Sequence, residues 1–144
     1  MTDVRQDALH IAQKAIEAVL PENAVEAALR GEAFSARAQS GGRIVLTAIG
    51  KAAWRMAKAA AETLGDRLDG GVVVTKYGHS NGPIKGVEIF EAGHPFPDEN
   101  TIKGTARALE RVGGLSAEDT VLFLVSGGFA VVMLAAVHAV ADLA

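Results

Sequence analysis

Apolar residues fall at Val4, Ala8, Ile11, Ala12, Ala15, Ile16 and Val19, the three- and four-residue spacing of one helical face. They predict an amphipathic helix over 4–20, stopped by Pro21. A weaker helix follows over 22–29, with Gly31 after it. Beyond the Ser40-Gly41-Gly42 turn the period changes. Residues 43–49 form a mostly apolar run of strand length, Gly50 ends it, and an Ala-rich helix over 51–64 closes at Gly65. Residues 71–75 and 87–91 read as two further buried strands, and the glycines and Pro83 between them read as loop. Residues 98–112 predict a helix with Ile102, Ala106, Leu109 and Val112 on one face and Gly113 at its C′ position. A fourth buried strand over 121–125 and an apolar helix over 129–143 complete the pattern. Apolar strands alternating with helices predict an α/β fold: a mainly parallel sheet with helices on both faces, a Rossmann-like three-layer sandwich in a single domain, 1–144.

Composition narrows the classes. With 144 residues, 49% hydrophobic and a net charge of −3, the chain can bury a core and is not globally disordered. The absence of cysteine excludes a disulfide-stapled module, and the acidic balance argues against a nucleic-acid partner. Asp3 and Asp7 stand where an export signal would carry basic residues, which predicts a cytoplasmic protein. Residues 120–141 contain no charged side chain and are long enough to cross a membrane. Ser126-Gly127-Gly128 breaks that run with turn residues, so no membrane partner is expected.

In open α/β sheets ligands bind beyond the carboxyl ends of the strands. Four segments lie at such exits: Gly50-Lys51, Tyr77-Gly78-His79, His94 to Asp98, and Ser126-Gly127-Gly128. Lys51 opens a helix, where the macrodipole disfavours a cation unless an anion sits between them. The same lysine also begins a stripe of Lys51, Arg55, Lys58 and Glu62 that fits a solvated helix face. Two prolines stiffen the His94-Pro95-Phe96-Pro97-Asp98 loop. Asp98 fits a helix N-cap there, and His94 fits either a packed ring or a group that orients a hydroxyl or phosphoryl. Ser-Gly-Gly after a strand resembles the start of a phosphate-cradling turn, but matches neither the P-loop nor the dinucleotide fingerprint. Tyr77 and His79 read as parts of a solvated loop. The four histidines show no metal-ligand spacing.

Taken in order, four runs resemble the N-terminal domain of the glycerate 2-kinase family, whose members are often labelled hydroxypyruvate reductase. They are Gly50-Lys51-Ala52-Ala53 with Met56, the stretch 71–79, the stretch 91–99 with its Gly-His-Pro-x-Pro-Asp loop, and the stretch 122–128. The resemblance covers residues 5–128. It implies transfer of phosphate from ATP, with Mg2+, to the 2-hydroxyl of D-glycerate, in a cleft between two domains. Carried over, Lys51 would neutralise phosphate or carboxylate charge, His94 and Asp98 would shape the rim, and Gly50, Ser126, Gly127 and Gly128 would hold phosphates. The family's Ser-Gly-Gly run continues Gly-Ser-Ala, whereas this chain has Phe129-Ala130-Val131. Family members are also several times longer, so a second domain is expected to be absent here. The alternatives are a non-catalytic, anion-binding or self-associating fragment and, more distantly, a hydroxypyruvate reductase. From Phe129 to Ala144 every residue but His138 and Asp142 is apolar. Such a surface expects cover, from a further domain or a second copy.

Overall fold

The computed structural model describes residues 3–38 and 41–127. Three helices lead the chain: α1 (Val4–Ala18), α2 (Pro21–Arg30) and α3 (Glu32–Ala38). Then come β1 (Ile44–Ile49), α4 (Ala53–Leu64), β2 (Gly70–Lys76), β3 (Val87–Ala92), α5 (Glu99–Val112) and β4 (Thr120–Val125). Pro21 does more than stop the first helix. It occupies the first turn of α2, where its missing N–H costs nothing. The expected helix over 129–143, like Gly128, lies outside the described residues.

The four strands are parallel and ordered β3-β2-β1-β4. The chain steps from β1 to β2 to β3 in one direction, then returns through α5 to the far side of β1. Right-handed crossovers therefore place α4 and α5 on opposite faces. Leu46, Ala48 and Val73 pack with α4 and with Val25 and Leu29 of α2. Ile49, Val72 and Val74 form the second layer with Ala92 and with Ala108 of α5. This is the three-layer α/β arrangement that the apolar pattern predicts.

Three expectations change. β3 and β4 are the outer strands of the described sheet and are not buried on both faces. In β4, Leu122 and Leu124 pack toward the α4 layer. Val121, Phe123 and Val125 face the other way and stay 44, 53 and 44% exposed. The C-cap of α5 is Gly113 at φ −66°, and the left-handed residue is Gly114 at +71°. Finally, α1 is helical and amphipathic, yet none of its residues is buried.

Polar ties fix the amino ends of the strands. The Asp119 carboxylate accepts from the backbone N–H groups of Arg43 and Ser116 and from the Arg43 guanidinium. Those bonds, Arg43's above all, drive its pKa far down. Asp119 thus joins the start of β1 to the start of β4, while Asp69 accepts from the Ile44 N–H beside β2. The register set here decides which residues meet at the opposite, carboxyl end.

Candidate functional site

The strand order reverses between β1 and β4, which makes their carboxyl ends the topological switch point of the sheet. Ile49 is in register with Val125, so Gly50-Lys51 and Ser126-Gly127 leave the sheet side by side. Gly50 is buried at φ +111°, and a Cβ there would overlap the hydroxyl and carbonyl oxygens of Ser126. Only glycine allows this approach. Gly127 is exposed, and a side chain at that position would meet open space.

The turn from β1 into α4 is wired to its neighbours. The Gly50 carbonyl accepts from the buried Thr75 hydroxyl (2.9 Å) and from the Ala53 N–H (3.1 Å). The Ser126 hydroxyl accepts from the Ala52 N–H (3.0 Å). α4 has no side-chain cap bond at its N-cap residue, Ala52, and no acidic residue in its first turn. Its positive end is therefore not neutralised locally. Lys51 stands just before that end with its side chain exposed, and among the described residues no ion pair engages it. The competing solvated-stripe reading holds for the rest of the row: Arg55 pairs with Glu22 across to α2, and Lys58 pairs with Glu62. A lysine, a helix N-terminus and a serine hydroxyl on one rim suit an anion.

Farther along the rim, the Asp98 carboxylate is the N-cap of α5. It accepts from the Thr101 N–H and hydroxyl, in a capping box, and from the Tyr77 phenol at 2.7 Å. Partial burial pushes the Asp98 pKa up, but the Tyr77 phenol and the N–H groups of Gly93 and Thr101 outweigh it and lower the value to about 2. The bond to Asp98 raises Tyr77 above its ordinary value. His94 is half-buried between β3 and α5 and joined to Pro95 by a cis bond. Asp98 is thus brought to Tyr77, and its Oδ1 bonds are those of a cap.

Three further residues stand on the rim: His79, which the sequence read as part of a solvated loop, and Glu91 and Thr75, which it did not single out. His79 is half-buried, with Nδ1 3.2 Å from the Lys51 carbonyl. Glu91, the only acid near the end of β3, accepts from the N–H groups of His79 and Ser80 and from the Ser80 hydroxyl. Those bonds, Ser80's first, hold Glu91 below its usual range. Thr75 is the third. An acid closing an apolar strand was the available signal for Glu91, whereas the partners of His79 and Thr75 are tertiary. Among the described residues no group of three or more His, Cys, Asp or Glu is placed to hold a metal. No described helix is long and apolar enough to cross a membrane. An open groove of about 620 Å3 runs beside β3, lined by Tyr77, Ser80, Glu91 and Asn100 among others, but Lys51 and Ser126 are not part of it. The switch point, where among the described residues no acid pairs with Lys51, is the stronger candidate.

Residues 7–142 match the family model described as a domain of unknown function, DUF4147. A Thermotoga maritima protein named D-glycerate 2-kinase is 58% identical over 121 residues, which is 84% of this chain and 27% of that protein. A Pyrococcus horikoshii glycerate 2-kinase is 36% identical over 88% of this chain and 29% of its own length. A shorter match, 44% identical over 87 residues, is to an Agrobacterium vitis protein carrying a hydroxypyruvate reductase label. The crystal structure of glycerate kinase from Thermotoga maritima superposes with a TM-score of 0.71 at 57% identity, covering 84% of this chain and 28% of that one. The chain therefore spans little more than a quarter of the length of the glycerate kinases, and the Agrobacterium vitis match covers 60% of this chain and 20% of that protein.

Proposed function

We propose, from the premise that this chain belongs to the DUF4147 family and matches part of glycerate 2-kinases, that its rim serves phosphoryl transfer from ATP to D-glycerate. The observation that carries the proposal is that Ser126 meets the turn bearing Lys51 across the switch point, through its hydroxyl and the Ala52 N–H, at the start of a helix with no acid in its first turn. Phosphoryl transfer asks little covalent chemistry of a protein. It needs position, and positive charge where negative charge accumulates. Lys51 would supply the charge, and the first turn of α4 would supply backbone donors. Ser126 would offer its hydroxyl, and Gly50 would keep the two exits close.

The other candidate residues divide. Asp98 acts first as the cap that starts α5, so its part in the site is to set the rim beneath His94. Gly127, which no described residue crowds, would let a phosphate approach its backbone. The described side chains do not fit a Mg2+ site: Glu91 and Asp98, the rim carboxylates, are already engaged by Ser80 and by Tyr77 and Thr101. No step is assigned to a metal on this chain. A reductase reading gains nothing from the β1–α4 turn, where Gly50-Lys51-Ala52-Ala53 lacks the spaced glycines of a dinucleotide fingerprint. We read the chain as one domain of a two-domain enzyme, with the glycerate pocket shared with the second.

Thermal unfolding of the chain with and without ATP tests the proposal. ATP at about 100 times its Kd stabilises a single-site protein by about 2.7 kcal/mol, a rise of several degrees in Tm. We expect that rise in the wild type and its loss in Lys51→Ala. Equal shifts in both proteins would remove Lys51 from the site, and no shift in either would remove the anion site. Turnover of ATP and D-glycerate by this chain alone would show that the second domain is dispensable.

A further inference from the structure

The peptide unit joining Lys51 to Ala52 is held at both of its polar ends by side chains from other strand exits. Its N–H is bound by the Ser126 hydroxyl beyond β4, and its carbonyl by the His79 ring beyond β2. A carbonyl only accepts, so His79 Nδ1 must carry the proton, and Nε2 of the neutral ring is the acceptor. His79 is itself anchored: its backbone N–H reaches the Lys76 carbonyl (3.0 Å) and Glu91 Oε1 (3.1 Å), and Glu91 also binds Ser80. A chain of bonds thus runs from β3 through the loop after β2 to the residue that bears the ammonium, Lys51.

We propose that His79 is a positioning residue for Lys51, fixing the Lys51–Ala52 peptide and with it the approach of the ammonium to the start of α4. The inference rests on the anion-binding reading of Lys51 given above. The half-buried His79 ring belongs to neither core cluster. The turn itself is secured independently through Gly50, by Thr75 and by the Ala53 N–H. Removing the ring therefore leaves the fold in place and the Lys51–Ala52 peptide held at its N–H alone, by Ser126. Lys51 would then spend part of its time away from the helix end.

The test uses the full chain and ATP as the probe, with Kd measured by calorimetry and Tm recorded for each variant. The His79→Ala change removes one hydrogen bond and should weaken ATP binding by about 2- to 10-fold, with Tm nearly unchanged. The His79→Asn variant keeps an N–H at the δ position and should recover most of the affinity, whereas His79→Leu, with bulk but no donor, should not. Ring nitrogen shifts should report the Nδ1–H tautomer in the neutral wild type. An Nε2–H tautomer, or His79→Leu binding as tightly as wild type, overturns the inference. If Lys51→Ala weakens binding while His79→Ala does not, the positioning role fails and the anion site stands. If Lys51→Ala changes nothing, the anion-site reading itself fails and takes this inference with it.

Discussion

At φ +111° Gly50 occupies backbone space that a side chain rarely enters, and a methyl group there would overlap Ser126. The Gly50→Ala change must therefore either strain the turn or push β4's exit away from β1's. Strain of this kind costs about 1–3 kcal/mol. We expect a lower urea midpoint of about that size together with loss of the ATP-induced rise in Tm. The sequence showed a glycine ending a strand and a lysine in an unfavourable place, and that was enough to choose the turn. It did not show why the glycine is needed, because the crowding atom belongs to a residue 76 positions later. His79 was hidden for the same reason. A histidine among glycines looks solvated until the carbonyl it meets is known.

Helices and strands were the most legible level, since each carries its signal within its own span. α5 is the clearest case. Asp98 was readable as its N-cap from residue type and place, and the structure adds a reciprocal bond from Thr101. Replacing Asp98 with Ala should cost about 0.5–2 kcal/mol, read from urea midpoints at pH 7. The same carboxylate gives a pH dependence. Its pKa is lowered to about 2 in the fold, against 3.8 ordinarily. Its contribution is therefore complete above about pH 4 and is lost as the pH falls toward 2. The gap between wild type and Asp98→Ala should narrow over that window, and a constant gap would refute the assignment. By contrast α3 went unread. Its seven residues after Gly31 are too few to establish a helical period, and the notable contact of the segment is distant, from Arg37 to the carbonyls of Ala117 and Asp119. Strand burial was also overestimated, because an apolar run does not say whether a strand sits at the centre of a sheet or at its side.

For the whole molecule, fold class followed from alternation, but strand order did not, and strand order is what selects the site. Placing β4 beside β1 creates the switch point and brings together two turns that lie far apart in the chain. It also leaves Val121, Phe123 and Val125 on a face that no described element covers. The same strand has one side paired with β1 and, among the described residues, no strand on the other. Thr-Val-Leu-Phe-Leu-Val contains no charge, proline or glycine, the devices by which outer strands resist pairing with other chains. At high concentration this chain should self-associate through β4, with light scattering that grows as concentration rises, and Phe123→Lys should suppress it with little loss of stability. Scattering that ignores the substitution would place the sticky surface elsewhere. The arrangement that brings the Gly50-Lys51 and Ser126-Gly127 exits together thus also sets an apolar strand at the side of the described sheet, with Glu118 and Asp119 before it as its nearest charged gatekeepers, and colloidal behaviour becomes a second property set by the same strand order.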